Sequence, residues 1–357
     1  MSHSDSHPFR PDYVIPPGET LRDQLAEMNL SQAELAVRAG LSTKHVNQII
    51  KGSAPITPET AIVLERITGI PANVWNRREA DYRERLLRAK PPVLGAEDER
   101  WLSSLPVKEL QKRGRLPDER DRGRLFEAVL SFFGVADREA WERIWRRPVA
   151  SFRRSQAYAS SPGAVVSWLR IAQIEAQQAK VQPYSAQRFR KALREIRALT
   201  AHGDANRIVE ICAAAGVVVV FVREVTGCRI SGAAWWATPS RAVVALSDRY
   251  KKDDYFWFAF FHEAAHVLLH SKKETFIDDG SDNDIVEDEA NKFAADLLIP
   301  PDRAPELSGL ATDSDVRAFA SEIGVAAGIV VGRLQHDGLW GWNRGHKLKR
   351  GLHIVED

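Results

Sequence analysis

Cysteine is scarce: Cys212 and Cys228 are the only two in 357 residues. A disulfide-stapled secreted scaffold, or a metal site built from cysteine pairs, would need more of them in a shorter chain. Long apolar runs are missing too. The longest, Gly216–Val222 (GVVVVFV), falls far short of the roughly 20 residues that cross a bilayer. The opening stretch, MSHSDSHPFRPDY, lacks the apolar core of an export signal, so the expected compartment is the cytoplasm, with no membrane contact. Neither sign of charge dominates, since 50 Lys+Arg face 48 Asp+Glu for a net charge of +2. Basic residues still crowd Arg77–Arg88, Lys112–Arg124 and Arg138–Arg154, and acidic ones crowd Asp278–Glu289. An anionic partner for the middle of the chain would explain this, and so would alternating charges on exposed helix faces.

What is present reads as several units, the length leaving room for two or three domains of about 100–200 residues each. Residues 1–17, with Pro8, Pro11, Pro16 and Pro17, read as a flexible lead-in. Residues 18–76 form a compact all-α unit. In it Ser31 and Glu34 make a capping-box pattern, Gly40 ends one helix, Ser42 caps the next and Gly52 closes it. Residues 77–205 are long, charged and helical, broken by prolines, and are taken as a helical connecting region. Within 206–305 the pattern predicts a helix (Ile208–Ala215), a buried strand (Val217–Val222), a hairpin around Thr238-Pro239-Ser240, and helices over about Asp254–His270 and Ile285–Leu298. That order points to a small α+β domain. Residues 306–357 hold a helix–Gly–helix packing unit (Ala318–Gly338) and a basic tail, Arg344–Arg350, that is either solvated or a phosphate contact. The chain as a whole is expected to be mainly α.

The chemistry concentrates in FHEAAHVLLH, Phe261–His270. His262-Glu263-Ala264-Ala265-His266 is the pattern H-E-x-x-H on a predicted helix. Four residues make slightly more than one turn, so both imidazoles leave one face and can share a Zn²⁺. Glu263 lies about a hundred degrees round the helix, beside the metal, as a general base toward its water requires. His270 is a further turn along and too distant to join the same ion, so a supporting or structural role is expected for it. A third ligand is sought in EDEANKFAA. Glu287, Ala290, Asn291 and Ala294 share one helix face there, the alanines permitting close approach. Glu287 is the expected ligand, Asn291 the group that orients a histidine, and Glu289 the reserve ligand. Tyr250, Tyr255 and His270 are candidate oxyanion partners, and a peptide could add to an edge strand near Ser231–Trp236.

FHEAAHVLLH followed by E-x-x-A-N-x-F-A-x-x-L-L-x-P resembles the ImmA/IrrE family of zinc metallopeptidases, over roughly Asn206–Lys349. The resemblance implies a zincin-like domain, His262, His266 and Glu287 as zinc ligands, Glu263 as catalytic base, and hydrolysis of a peptide bond in a protein partner related to repressors or toxin–antitoxin pairs. Ala265 stands where that family often has Gly.

Ser31–Gly52 has the layout of a helix-turn-helix, with Leu35, Ala36, Leu41, Val46 and Ile49 inside and Gln32, Ser42, Thr43, Lys44, Asn47 and Lys51 facing DNA. It resembles the XRE-type repressors and, over Pro17–Trp75, HigA-type antitoxins. Basic residues do not outnumber acidic ones between Glu19 and Ile70. A monomer should therefore bind DNA weakly, and a homodimer reading paired half-sites is expected. The alternative is a regulator or antitoxin whose metal domain senses or binds a partner without cleaving it.

Overall fold

The computed structural model describes residues 14–145, 161–203, 205–249, 252–270, 276–278 and 285–351. Most of the lead-in, Tyr250, part of the basic stretch at Arg138–Arg154 and most of the acidic segment before Ile285 lie outside the described residues. The chain divides into two compact units, Met1–Val93 and Leu94–Asp357. The boundary expected at 76/77 falls inside a helix, Ala72–Arg88.

The first unit contains α1 (Pro17–Glu27), α2 (Gln32–Ala39), α3 (Thr43–Ile50), α4 (Pro58–Thr68) and α5 (Ala72–Arg88). Local sequence sets the ends. The Ser31 hydroxyl accepts from the Glu34 amide while the Glu34 carboxylate accepts from the Ser31 amide, closing a capping box at α2. Gly40 ends α2 in the left-handed conformation at φ 66, and the Ser42 hydroxyl accepts from the His45 amide to start α3. Leu21, Leu25, Leu35, Val46, Ile49, Leu64 and Trp75 meet in one core. Leu21 and Leu25, Val46 and Ile49, and Ala61 and Leu64 recur at three- or four-residue spacing on their helices, which is why this unit can be read from sequence.

The second unit is built on a four-stranded sheet of order β1-β3-β2-β4, with β1 Val217–Val222, β2 Gly232–Thr238, β3 Arg241–Ser247 and β4 Phe276–Asp278. β1 runs parallel to β3, and β2 is antiparallel to both β3 and β4. Successive side chains alternate faces, and both faces are buried. Val217 and Val219 join a core shared with α10 (Ala186–Leu199), α11 (Arg207–Ala215), α12 (Asp253–Leu269), α14 (Asp313–Ile323) and α15 (Ala327–His336). Val218, Val220 and Val222 join a second core with α6 (Ala96–Ser103), α7 (Val107–Lys112), α8 (Arg122–Phe133) and α9 (Pro162–Gln178). Trp168 of α9 is fully buried there and donates from its indole to the Val222 carbonyl at 3.0 Å. Residues 94–205 therefore supply one layer and part of the other, which a connecting region alone would not do. The chain is mainly helical, with a mixed sheet inside its C-terminal unit.

Two sequence expectations change. Within Ser231–Trp236, β2 is no edge over Gly232–Ala234, which pair with β4 on the side away from β3. The tail Arg344–Arg350 is partly held in the fold, while Arg344, Lys347 and Arg350 stay exposed. The Lys349 ammonium is buried against the Asp254 carboxylate at 2.5 Å, the Arg350 amide donates to Asp253 at 3.0 Å, and the Arg344 guanidinium stacks on Trp340 at 3.8 Å.

Candidate metal centre

α12 carries the H-E-x-x-H pattern through the middle of the unit. It is buried nearly all round because the sheet covers one side while α13 (Ile285–Leu298) and α15 cover others. Its sequence is accordingly apolar on every face rather than on one stripe. α13 comes close where Ala290 and Ala294, both fully buried, present methyl groups.

That approach brings three side chains together. The Nε2 atoms of His262 and His266 are 3.0 Å apart. Glu287 stands 3.0 Å from His262 Nε2 and 3.5 Å from His266 Nε2. Ligands about 2.0–2.2 Å from a tetrahedral Zn²⁺ lie roughly 3.3–3.6 Å from one another, so the triangle is close to the size the ion needs. Among the described residues this is the one group of three or more His, Cys, Asp or Glu side chains that could hold a metal ion. The chemistry of the donors agrees. Burial lowers the His266 pKa, although contact with Glu287 opposes it, which favours the neutral ring that a metal requires. Burial would raise the Glu287 carboxyl, yet hydrogen bonds to His262 and His266 outweigh it and hold the group down at about 2.

The surrounding contacts orient the rings. His262 Nδ1 lies 2.9 Å from Asn291 Oδ1. An amide oxygen only accepts, so Nδ1 carries the proton and the Nε2 lone pair faces the cluster. His266 Nδ1 lies 2.9 Å from His270 Nδ1, and His270 Nε2 lies 3.2 Å from Glu289 Oε2. Glu289, the reserve ligand in the sequence reading, thus meets His270 rather than the cluster. One proton arrangement satisfies the chain and frees His266 Nε2: His266 Nδ1–H donates to His270, whose Nε2–H donates to Glu289.

Glu263 is fully buried on the side of α12 that faces β2. A Cβ placed on Gly232 would come within 2.7 Å of the Glu263 Cγ and Oε1. Any side chain at 232 would displace the carboxylate, so Gly232 belongs to the site although no motif marks it. Its only sequence signal is a glycine inside an otherwise strand-like run.

The six residues assigned to DNA stand on α2 and α3. Ser42, Thr43, Lys44 and Lys51 are exposed, and Gln32 and Asn47 are half-buried. The Asn47 amide donates to Gln32 Oε1 at 3.3 Å, tying the start of α2 to α3.

Comparison with known proteins gives a match at each end of the chain. Residues 21–75 match the sequence model of a helix-turn-helix, and residues 212–335 match that of Peptidase_M78, the IrrE N-terminal-like domain. The chain joins a helix-turn-helix domain to an IrrE N-terminal-like domain. The second match spans β1–β3, α12, α13 and α15, and so the whole metal cluster. Solved structures with similarity to the chain include the Pseudomonas aeruginosa antitoxin HigA with the higBA promoter, at 33% identity over 22% of this chain and 85% of that one, TM-score 0.21. Another is a HigA-family addiction module antidote protein from Coxiella burnetii, at 28% identity over 20% of this chain and 80% of that one, TM-score 0.20. No curated protein matches the chain. Among the described residues no helix is long and apolar enough to cross a membrane.

Proposed function

We propose that the C-terminal unit is a zinc-dependent endopeptidase acting on a protein partner, and that the helix-turn-helix unit binds DNA. The observation that carries the first part is the convergence of His262, His266 and Glu287 with Glu263 beside them on the same helix. Zinc held by those three residues would supply a Lewis acid and a water whose pKa is drawn toward about 7. Glu263 takes the proton of the attacking water and hands it to the leaving amine. Asn291 keeps the His262 lone pair aimed at the cluster. His270, held by Glu289, does the same for His266. The peptide lies outside β2, where β4 is the outer strand, and pairs with that strand. No side chain is assigned to the oxyanion: Tyr250 lies outside the described residues, and His270 is engaged with His266 and Glu289.

DNA binding rests on the helix-turn-helix match and on the exposed start of α3. Thr43 and Lys44 approach base edges while Lys51 and the α2 terminus touch phosphate. The mixed charge of the unit favours a homodimer on paired half-sites.

The experiment is a trap. Glu263→Gln keeps the ligands and removes the base. Purified from cells, this variant should retain zinc and DNA binding and hold an intact protein partner that the wild type releases cleaved. Retention of the full biological effect by Glu263→Gln would replace the peptidase with a regulator that binds its partner without cutting it.

A further inference from the structure

A cavity of about 360 Å³ opens between α12, α13 and α15. Tyr255 and Phe258 line it from α12. They precede His262 by seven and four residues, which puts them on the helix face that carries both histidines. The Phe258 ring centre is 6.3 Å from that of His262. From α13 the wall is formed by Asn291, whose Oδ1 holds His262, and by Ala295 one turn further on. The cavity therefore adjoins residues that flank the His262 ring, two of α12 and one of α13.

Its chemistry excludes most occupants. Ile329 closes the far side and the indole of Trp342 stands exposed at the mouth. The Lys, Arg and Asp groups that line it are already matched: Lys292 with Asp296 at 2.7 Å, Arg333 with Asp337 at 2.7 Å, and Asp254 with Lys349 at 2.5 Å. No surplus charge is left to draw an ionic ligand. The volume sits at the low end of the range of about 300–1,000 Å³ for ligand pockets, enough for one large side chain and too little for a folded segment.

We infer that this cavity selects an aromatic or long aliphatic side chain in the polypeptide held at the metal centre. The inference rests on the peptidase reading for the polypeptide, but the preference of the cavity can be measured without cleavage. Blocked amino-acid amides are titrated into the full chain by saturation-transfer NMR. N-acetyl-phenylalaninamide should bind about tenfold tighter than N-acetyl-alaninamide. Ala295→Leu, which fills the cavity, should abolish that preference and leave zinc content unchanged. Trp342→Ala removes a surface side chain without touching the core, and should weaken phenylalaninamide binding several-fold. Equal binding of the two amides to wild type, or a preference that survives both variants, would overturn the inference. A preference lost in both variants, alongside a zinc-loaded wild type that cuts no peptide, would keep the cavity as an apolar site and reject the peptidase.

Discussion

The three histidines of FHEAAHVLLH have different neighbours and hence different work. His262 and His266 turn Nε2 inward, and His270 holds His266 from behind with Glu289 at its own far nitrogen. Partners of this kind fix a ligand's tautomer, and their loss typically costs 10–100-fold in metal affinity. Glu289→Gln and His270→Ala should each weaken zinc binding by about that factor in a chelator competition. Glu289 is largely exposed, so its variant should unfold at the wild-type urea midpoint; unchanged zinc affinity would reduce the pair to a structural contact. Asp253 offers a second test, away from the cluster. Burial, reinforced by the charge of Asp254, raises its pKa from 3.8 to about 6. Its contribution to stability is full below pH 3.8 and disappears as the pH rises through about 6. Wild type should therefore lose, on the order of 2–3 kcal/mol between those limits, relative to Asp253→Asn. Parallel pH profiles would rule out this protonation. At this scale the spacing of His262, His266, Glu287 and Asn291 was legible because one helical period governs all four. Gly232 and the Glu289–His270 contact were not, since each depends on where a second element lies.

Among the elements, β1 and α13 run over the residues their patterns predicted, Val217–Val222 and Ile285–Leu298. Both have strong local signals: a β-branched run in one, and alanine spacing closed by Pro300-Pro301 in the other. β4 has three residues, too few for any periodicity, and its pairing is what moves β2 off the sheet edge. The start of α12 is fixed by residues far away in sequence. Gly328 of α15 lies so close to Asp253 that a Cβ there would fall 2.3 Å from its Oδ1. Lys349 reaches both Asp254, at 2.5 Å, and the Gln335 side-chain oxygen, at 2.7 Å. Removing one member of a buried pair leaves an uncompensated charge and costs about 3–5 kcal/mol. Lys349→Met should lower the urea unfolding free energy by that amount, and adding Asp254→Asn should restore part of it. Additive losses in the double variant would show that the two groups do not act together.

For the molecule as a whole, the two compact units were visible in sequence to different depths. The helix-turn-helix unit is stabilised by contacts within about 60 residues, and its caps and apolar spacing announce it. The second unit places its sheet between two helical cores, and the layer from α6 to α9 belongs to it although those helices precede β1 by up to about 120 residues. Charged helices interrupted by prolines carry no mark of which sheet face they will cover, so residues 94–205 read as a connection. The fold matters to function because it buries most of α12 and packs α13 against it, which brings the three cluster side chains together. The most direct test is zinc stoichiometry on the full chain after metal reconstitution. One zinc per chain is expected for wild type and for Glu263→Gln, with loss of most of it in His266→Ala and Glu287→Ala. A wild type that takes up no zinc, or zinc that persists when both His266 and Glu287 are replaced, would contradict the metal centre.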